Sequence, residues 1–366
     1  MFWSMDKSCH MNELQGITDY LVSFFEFAAE SASNHFDKKA FQEFLPSEAD
    51  WLIERLTSDR WDTPKSKDRR PMSKNLEGLF QLTQVRRMAI SEALRHDICV
   101  AEHMDKPFCF KSPLLEPDER DLIRRFFIHF YEVGLCEIGF KLPGYTDSYR
   151  RKEFARAYFS GKNKILKYVC PICLCTMTDA EVESDVEHFF PKYLYPILAL
   201  HPVNLYFSCK ACNQTYKGTK NPLENPGCNA RMSFLPYVDT VRDRVKLKFS
   251  HEDEDDEVDF VPINPAEAYI NEKVESLNRL YKLNRRWTGL LEYHNNMLVD
   301  ELLRDGIEGK DNLKKEISDR LRKMRQRCDK SPGDYLNYQY TQWLYDFRLD
   351  ALNAELAHKG TVPGVS

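Results

Sequence analysis

Four cysteines and one histidine carry most of the chemistry legible in this chain. Cys170 and Cys173 form a CPIC pair, Cys209 and Cys212 form a CKAC pair, and between them runs the string DVEHFFPK from Asp185 to Lys192. Two residues between paired cysteines let one turn of backbone present both sulfurs to a single ion, and two such pairs complete the tetrahedral thiolate set that zinc prefers. The spacing therefore predicts a structural Zn2+ on Cys170, Cys173, Cys209 and Cys212. Cys175 and Cys228 are spare thiols by this count, and on spacing alone either could replace one of the four. The pairs lie further apart than in a compact zinc ribbon, so a small subdomain is expected between them.

Inside that interval Glu187 immediately precedes His188, Asn204 follows in HPVNL, and Asn213 comes directly after Cys212. These residues resemble the motif of the HNH nucleases, and phosphodiester hydrolysis, the reaction that this resemblance implies, needs an activated water and neutralisation of the charge that builds on the phosphate and the leaving oxygen. One carboxylate and one amide oxygen suit a hard divalent cation that keeps several waters. A neutral imidazole, with an ordinary pKa of roughly 6.5, can take a proton from water at physiological pH. Neighbours on a strand face opposite sides, so using Glu187 and His188 together predicts a twisted or bulged strand end. Asp185 is a rival ligand, and His201 is a rival base that lacks an adjacent carboxylate. A lone histidine is ordinarily structural; here the set of Glu187, His188, Asn204 and Asn213 between two cysteine pairs favours catalysis.

At these residues, about 168 to 222, the chain resembles the HNH nucleases of the ββα-metal class. The resemblance implies that Glu187 ligates a catalytic Mg2+ or Mn2+, that His188 is the general base, that Asn204 buttresses the loop, and that Asn213 is the second ligand. Glutamate stands where many members use aspartate, and Asn213 replaces a frequent histidine, which favours harder metals. The strings EHFFPK and NLYFSCKACNQTYKG look most like HNH proteins of bacterial anti-phage systems, the Septu-like and retron-associated kind. That likeness implies a defence role and an ATPase or sensor protein as partner. DNA is the expected substrate, with the helix of Asn213 against the minor groove and Lys192, Lys210, Lys217 or Lys220 on phosphates; RNA, including tRNA, is the alternative. The rival from another class is a non-catalytic zinc module that binds nucleic acid or a partner protein.

The chain has 366 residues, 42% of them hydrophobic and 13% aromatic, enough for two or three domains with buried cores. Its net charge of -5 gives no overall basic footprint. The stretch from Lys141 to Val169 is the local exception: Lys141, Arg150, Arg151, Lys152, Arg156, Lys162, Lys164 and Lys167 stand against Asp147 and Glu153. Eleven cysteines, an odd number, fit a reducing compartment better than a disulfide framework. No apolar run of membrane-spanning length and no secretory leader pattern is legible, so a cytoplasmic protein without a membrane anchor is expected. Nothing matches a P-loop or another nucleotide-binding fingerprint.

These groups must be positioned by an α+β chain, mostly helical, with a central zinc-stapled ββα-metal domain. Residues 1–144 are expected to form a helical domain, 145–263 the nuclease domain with a following β-hairpin, and 264–366 a helical region. Ile17, Tyr20, Leu21, Phe24, Phe27 and Ala28 recur at helical spacing, as do Leu122 and Phe126 up to Tyr131. Thr57 to Asn75 reads as a loop or linker, and Leu142, Pro143 and Gly144 as a break. Val245, Leu247 and Phe249 alternate before an acidic turn, so a hairpin follows. The acidic run Glu252 to Asp259 lacks the pattern of a calcium loop. Asn264 and Pro265 suggest a helix start, leading into Ile270, Val274, Leu277 and Tyr281. A second helix is expected on Trp287, Leu290, Leu291 and Leu298. A third, on Leu313, Ile317, Leu321 and Met324, is crowded with basic residues and stops at Ser331, Pro332 and Gly333.

Overall fold

The computed structural model describes residues 4–7, 11–45, 50–59, 70–102, 106–142, 147–225, 228–252, 255–328 and 334–360. The expected break at Pro143 and Gly144, the helix stop at Ser331 to Gly333 and part of the 57–75 linker lie outside them. The described residues are mostly helical, with two separate two-stranded antiparallel sheets among them, which is an α+β arrangement.

The N-terminal helices are α1 (Met11–Glu30), α2 (Lys38–Phe44), α3 (Asp50–Leu56), α4 (Met72–Gln81), α5 (Gln84–Asp97) and α6 (Pro117–His129). The apolar stripe of α1 buries Ile17, Leu21, Phe24, Phe27 and Ala28 against α5 and an aromatic cluster that includes Phe36, Phe41, Phe80 and Phe126. Asp37 and Thr83 accept backbone N–H groups at the starts of α2 and α5, satisfying donors that a helix start leaves free. Part of the expected linker is helical: α4 begins at Met72, and Met72 and Asn75 are buried. The polar pattern there hid a helix whose stability comes from packing rather than from periodicity in its first turn.

After α6 the chain continues as a π-type turn, Phe130–Ile138, that closes with Gly139 N–H donating to the Gly134 carbonyl at 2.6 Å. Gly139 takes φ +88°, and a Cβ there would meet the Ser148 and Arg150 side chains. Two short helices, α7 (Arg151–Tyr158) and α8 (Ala180–Glu183), then flank the cysteine knuckle. Strand β1 (Ser184–His188) pairs with β2 (Leu205–Cys209) in a register that runs from Ser184 opposite Cys209 to His188 opposite Leu205. That register has no bulge at Glu187 or His188, contrary to the bulged end considered from sequence. The two side chains therefore serve opposite faces of the sheet.

The second hairpin, β3 (Val245–Glu252) and β4 (Asp255–Pro262), falls where expected, with Asp253 and Glu254 outside the described residues. It packs on the C-terminal helices: Phe260 meets Trp287, and Phe249 meets Tyr340 and Trp343. Those helices are α9 (Ile270–Tyr281), α10 (Leu283–Arg304), α11 (Lys310–Cys328), α12 (Tyr335–Phe347) and α13 (Leu349–Gly360). Helix α9 starts later than Asn264 and Pro265 suggest. Asn264 instead closes a turn, accepting from Ala266 N–H, and Tyr269 in the left-handed region at φ +62° separates that turn from the helix. Leu290, read as part of an apolar stripe, is 44% exposed. One basic residue of α11, Arg320, is tied across to α10, pairing with Glu301 and Asp305 as well as with Glu316 of its own helix.

One contiguous core joins all of this to the loop between β1 and β2. Phe110, fully buried, packs edge-on against Phe190 at 5.0 Å and tilted against Tyr195 at 4.5 Å, and α6 packs against Pro196–Ala199. The N-terminal helices thus form the wall behind that loop. Phe110→Ala should cost about 3–5 kcal/mol, read as a lowered midpoint in urea unfolding; a shift worth under about 1 kcal/mol would mean that the wall and the loop are not mechanically joined.

Candidate metal centre and active site

The knuckle is set by local geometry. Leu174 adopts φ +60° and its N–H donates to the Cys170 carbonyl, while Cys170 N–H donates to the Cys175 carbonyl, so the chain folds back on itself within one turn. The second pair comes from the end of β2, with Cys209, and from the first turn of a π-type helical segment, Ala211–Lys217, with Cys212. The four sulfurs of Cys170, Cys173, Cys209 and Cys212 lie within 4.8 Å of one another and all four residues are buried. Backbone N–H groups of Cys209 and Cys212 point at the sulfurs of Cys170 and Cys209, at 3.4 and 3.5 Å. Four clustered, buried sulfurs with such N–H donors suit a structural metal ion such as zinc. Cys175 is exposed and Cys228 half-buried, and neither belongs to this group. Among the described residues the acidic hairpin forms no comparable group.

A further contact reaches the cluster from the C-terminal helices. Arg286 Nη1 donates to Cys212 Sγ at 3.3 Å, and its guanidinium lies 4.2 Å from the centre of the Tyr216 ring. Burial works against the Arg286 charge, but its contacts with the Cys212 and Cys173 sulfurs outweigh it and raise the guanidinium above its ordinary value. A second tie is the hydrogen bond at 2.9 Å between the hydroxyls of Tyr206 on β2 and Tyr281 on α9.

The face of the sheet that looks at the Ala211–Lys217 segment carries Asp185 and Glu187. Asp185 is held between Arg151 Nη2 at 3.1 Å and Gln214 Nε2 at 2.6 Å, so both its oxygens are engaged. Glu187 is 3% exposed, and its Oε1 accepts from Lys217 Nζ at 2.7 Å. Lys217, 1% exposed, also donates to the His188 carbonyl at 2.7 Å. Oε2 of Glu187 is buried without a hydrogen bond. Burial pushes the Glu187 carboxyl up to about 7; Lys217 and the backbone N–H of His188 pull the other way without cancelling it. Asn213, half-buried, donates from Nδ2 to the Val186 carbonyl at 3.2 Å, which fixes its side chain beside the same strand. The turn then closes with Gly218 N–H on the Asn213 carbonyl.

The opposite face carries His188. Its Nε2 lies 3.1 Å from the Ala199 carbonyl, which can only accept, so Nε2 bears the proton and Nδ1 keeps its lone pair. Burial, with Lys192 nearby, holds the imidazole well below its usual value, so the ring is neutral at physiological pH. Tyr131, from the π-type turn of the N-terminal region, packs edge-on at 4.4 Å. His201, the rival base, is buried beside the Ile98 backbone, and its Nδ1 has no hydrogen bond; burial lowers it to about 4.

Asn204 is 1% exposed and ties the loop that delivers Ala199 to His188. Its Nδ2 donates to the carbonyls of Phe190 and Leu198, at 3.0 and 2.9 Å, and its Oδ1 accepts from Phe190 N–H at 2.7 Å. The four predicted lysines separate. Lys210 and Lys220 are exposed, Lys192 pairs with Glu132 at 2.9 Å and lies over the Tyr131 ring, and Lys217 faces inward on Glu187. Sequence reasoning missed the pairing of Lys217, the cover by Tyr131, the carbonyl of Ala199 and the reach of Arg286. The one local signal was that Lys217 follows Asn213 by about a helical turn.

The chain is 37% identical over 78 residues to Septu protein PtuB from Bacillus thuringiensis, a segment that covers 21% of this chain and 28% of that protein. No protein-family model and no solved structure matches the chain. No helix among the described residues is long and apolar enough to cross a membrane.

The Asn204 hydrogen bonds generate a test that size alone does not. Asn204→Asp is isosteric but turns a double donor into an acceptor facing two carbonyls, so it should destabilise the chain by about 3 kcal/mol or more, at least as much as Asn204→Ala. Equal midpoints for Asn204→Asp and wild type in urea unfolding would show that the bonds do not hold the loop.

Proposed function

We propose that the chain is a metal-dependent nuclease of the HNH type, with a zinc ion on the four cysteines and a separate catalytic cation beside β1. The observation that carries this reading is the state of His188: neutral, aimed by the Ala199 carbonyl through Nε2, and with the Nδ1 lone pair left to act as a base. A base held in one tautomer by a backbone carbonyl, on a loop tied by Asn204, is what proton abstraction from water requires.

The donors near the strand also fit a hard cation. Glu187 Oε2 is a buried acceptor with no hydrogen bond, and Asn213, tethered through Nδ2, has its Oδ1 left to add an amide oxygen. Glu187 and Asn213 would hold the ion, which when bound supplies charge neutralisation at the phosphate. Lys217 already provides a fixed positive charge at Glu187 Oε1. Because His188 is the last residue of β1, in this reading the phosphate lies across the strand end, and His188 Nδ1, on the face opposite Glu187, takes the proton as the water oxygen bonds to phosphorus. The bond from phosphorus to the leaving oxygen breaks, and that oxygen is protonated from solvent. DNA is the first substrate to test and RNA the second. The similarity to Septu protein PtuB supports a place in a defence system, and the resemblance to HNH proteins of anti-phage systems implies an ATPase or sensor as partner.

Purified zinc-loaded protein should cut plasmid DNA or RNA only with magnesium or manganese present. His188→Ala should lower the rate at least about a hundredfold while keeping its zinc, measured by elemental analysis of the same sample. Equal rates for the two proteins would remove His188 from the chemistry.

A further inference from the structure

Beside the sheet lies a cleft of about 1550 Å³, lined by Arg151, Asp185 and Lys210 from the site and otherwise by residues that the site does not use. Its floor is apolar, with Leu142, Phe159, Ala180 and Phe207. Its walls carry seven cations against four carboxylates, in a chain whose net charge is -5. Six of these cations, Lys141, Arg150, Lys152, Arg156, Lys167 and Lys210, are exposed and make no ion pair among the described residues. The seventh, Arg151, is held by Asp185, whose other oxygen accepts from Gln214 in the Ala211–Lys217 segment. The cleft therefore runs up to the segment that carries Asn213, and Lys210, just before that segment, belongs to its lining.

Unpaired cations along a concave surface repel one another, and a folded chain tolerates such a cluster when an anion of matching length lies along it. Isolated phosphate would engage two or three of them. A lining that extends from Lys141 to Lys210 and combines separated charges with an apolar floor fits a continuous polyanion. We propose that this cleft is the track for the phosphodiester backbone of a nucleic-acid strand, and that it feeds the strand to the Asn213 end of the sheet. The proposal rests on the nuclease reading for what happens at the end of the track, but the binding surface stands on its own residues. Arg156 and Lys167 grip phosphates, and Arg151 exchanges its bond to Asp185 for one to the strand.

The test uses zinc-loaded His188→Ala protein, without added magnesium or manganese. It is titrated by fluorescence anisotropy against labelled single-stranded RNA, single-stranded DNA and duplex DNA over a salt series. At least one strand should bind, and the one bound most tightly identifies the source of the backbone. In the same background, Arg156→Glu with Lys167→Glu should weaken binding at least about tenfold and flatten the plot of log K against log salt by about 1.4 to 1.8. Lys162→Glu with Lys164→Glu makes the same charge change on exposed residues outside the cleft and should leave binding within about twofold. Zinc content and circular dichroism establish that each variant is folded. Equal losses from the two pairs, or no binding of any strand, would overturn the track. Binding through the cleft with no cleavage by the His188-intact protein would instead overturn the nuclease reading and keep the track, and cleavage with binding indifferent to Arg156 and Lys167 would do the reverse.

Discussion

The convergence of four sulfurs is the constraint on which the rest depends. A two-stranded sheet of five residues a side is marginal in water and cannot hold a site by itself. Here the end of β2, the first turn of the following segment and the Cys170–Cys173 knuckle all meet within 4.8 Å. A metal ion in that group fixes the angle between strand and helical segment, and with it the distance between the Glu187 and Asn213 side chains. Arg286 extends the constraint to α10, so the C-terminal helices are joined to the site through a cysteine sulfur rather than through apolar packing alone.

Around that staple the molecule spends stability on buried polar groups. Glu187 and Lys217 are both almost inaccessible, and removing either partner would strand a charge in the interior, which typically costs about 3–5 kcal/mol. The burial that raises the Glu187 carboxyl also leaves one of its oxygens without a hydrogen bond. Such an arrangement is poor for stability and suits the cation site proposed there. Asn204 is the opposite case, with three hydrogen bonds that satisfy it and hold Ala199 against His188. One half of the site is thus rigidly satisfied and the other is left electrostatically open.

Much of this was legible in the sequence where the physics is local. Cysteine spacing identified the four clustered sulfurs, helical periodicity found α1 and α9 to α11, and alternation found the second hairpin. The role of Asn204 as the tie of a loop came from the resemblance to the HNH nucleases, not from local pattern. What was not legible depends on the third dimension. Nothing near Tyr131 says that its ring will cover His188, and Lys217 reads as a surface lysine until the fold turns it onto Glu187. The start of α9 was misplaced because Tyr269 adopts a left-handed conformation usually reserved for glycine. The basic stretch from Lys141 was visible as charge, but only folding around Phe207 makes it a cleft.

The central claim is that two chemically distinct metal sites share one small scaffold, a thiolate site for structure and an oxygen site for chemistry. The most direct measurement is manganese binding to zinc-loaded protein, followed by electron paramagnetic resonance, for wild type and for Asn213→Ala. The account predicts one bound manganese in the wild type, lost or strongly weakened in Asn213→Ala, with the zinc content of both unchanged. Manganese bound equally by both proteins, or displaced only by stripping the zinc, would contradict it.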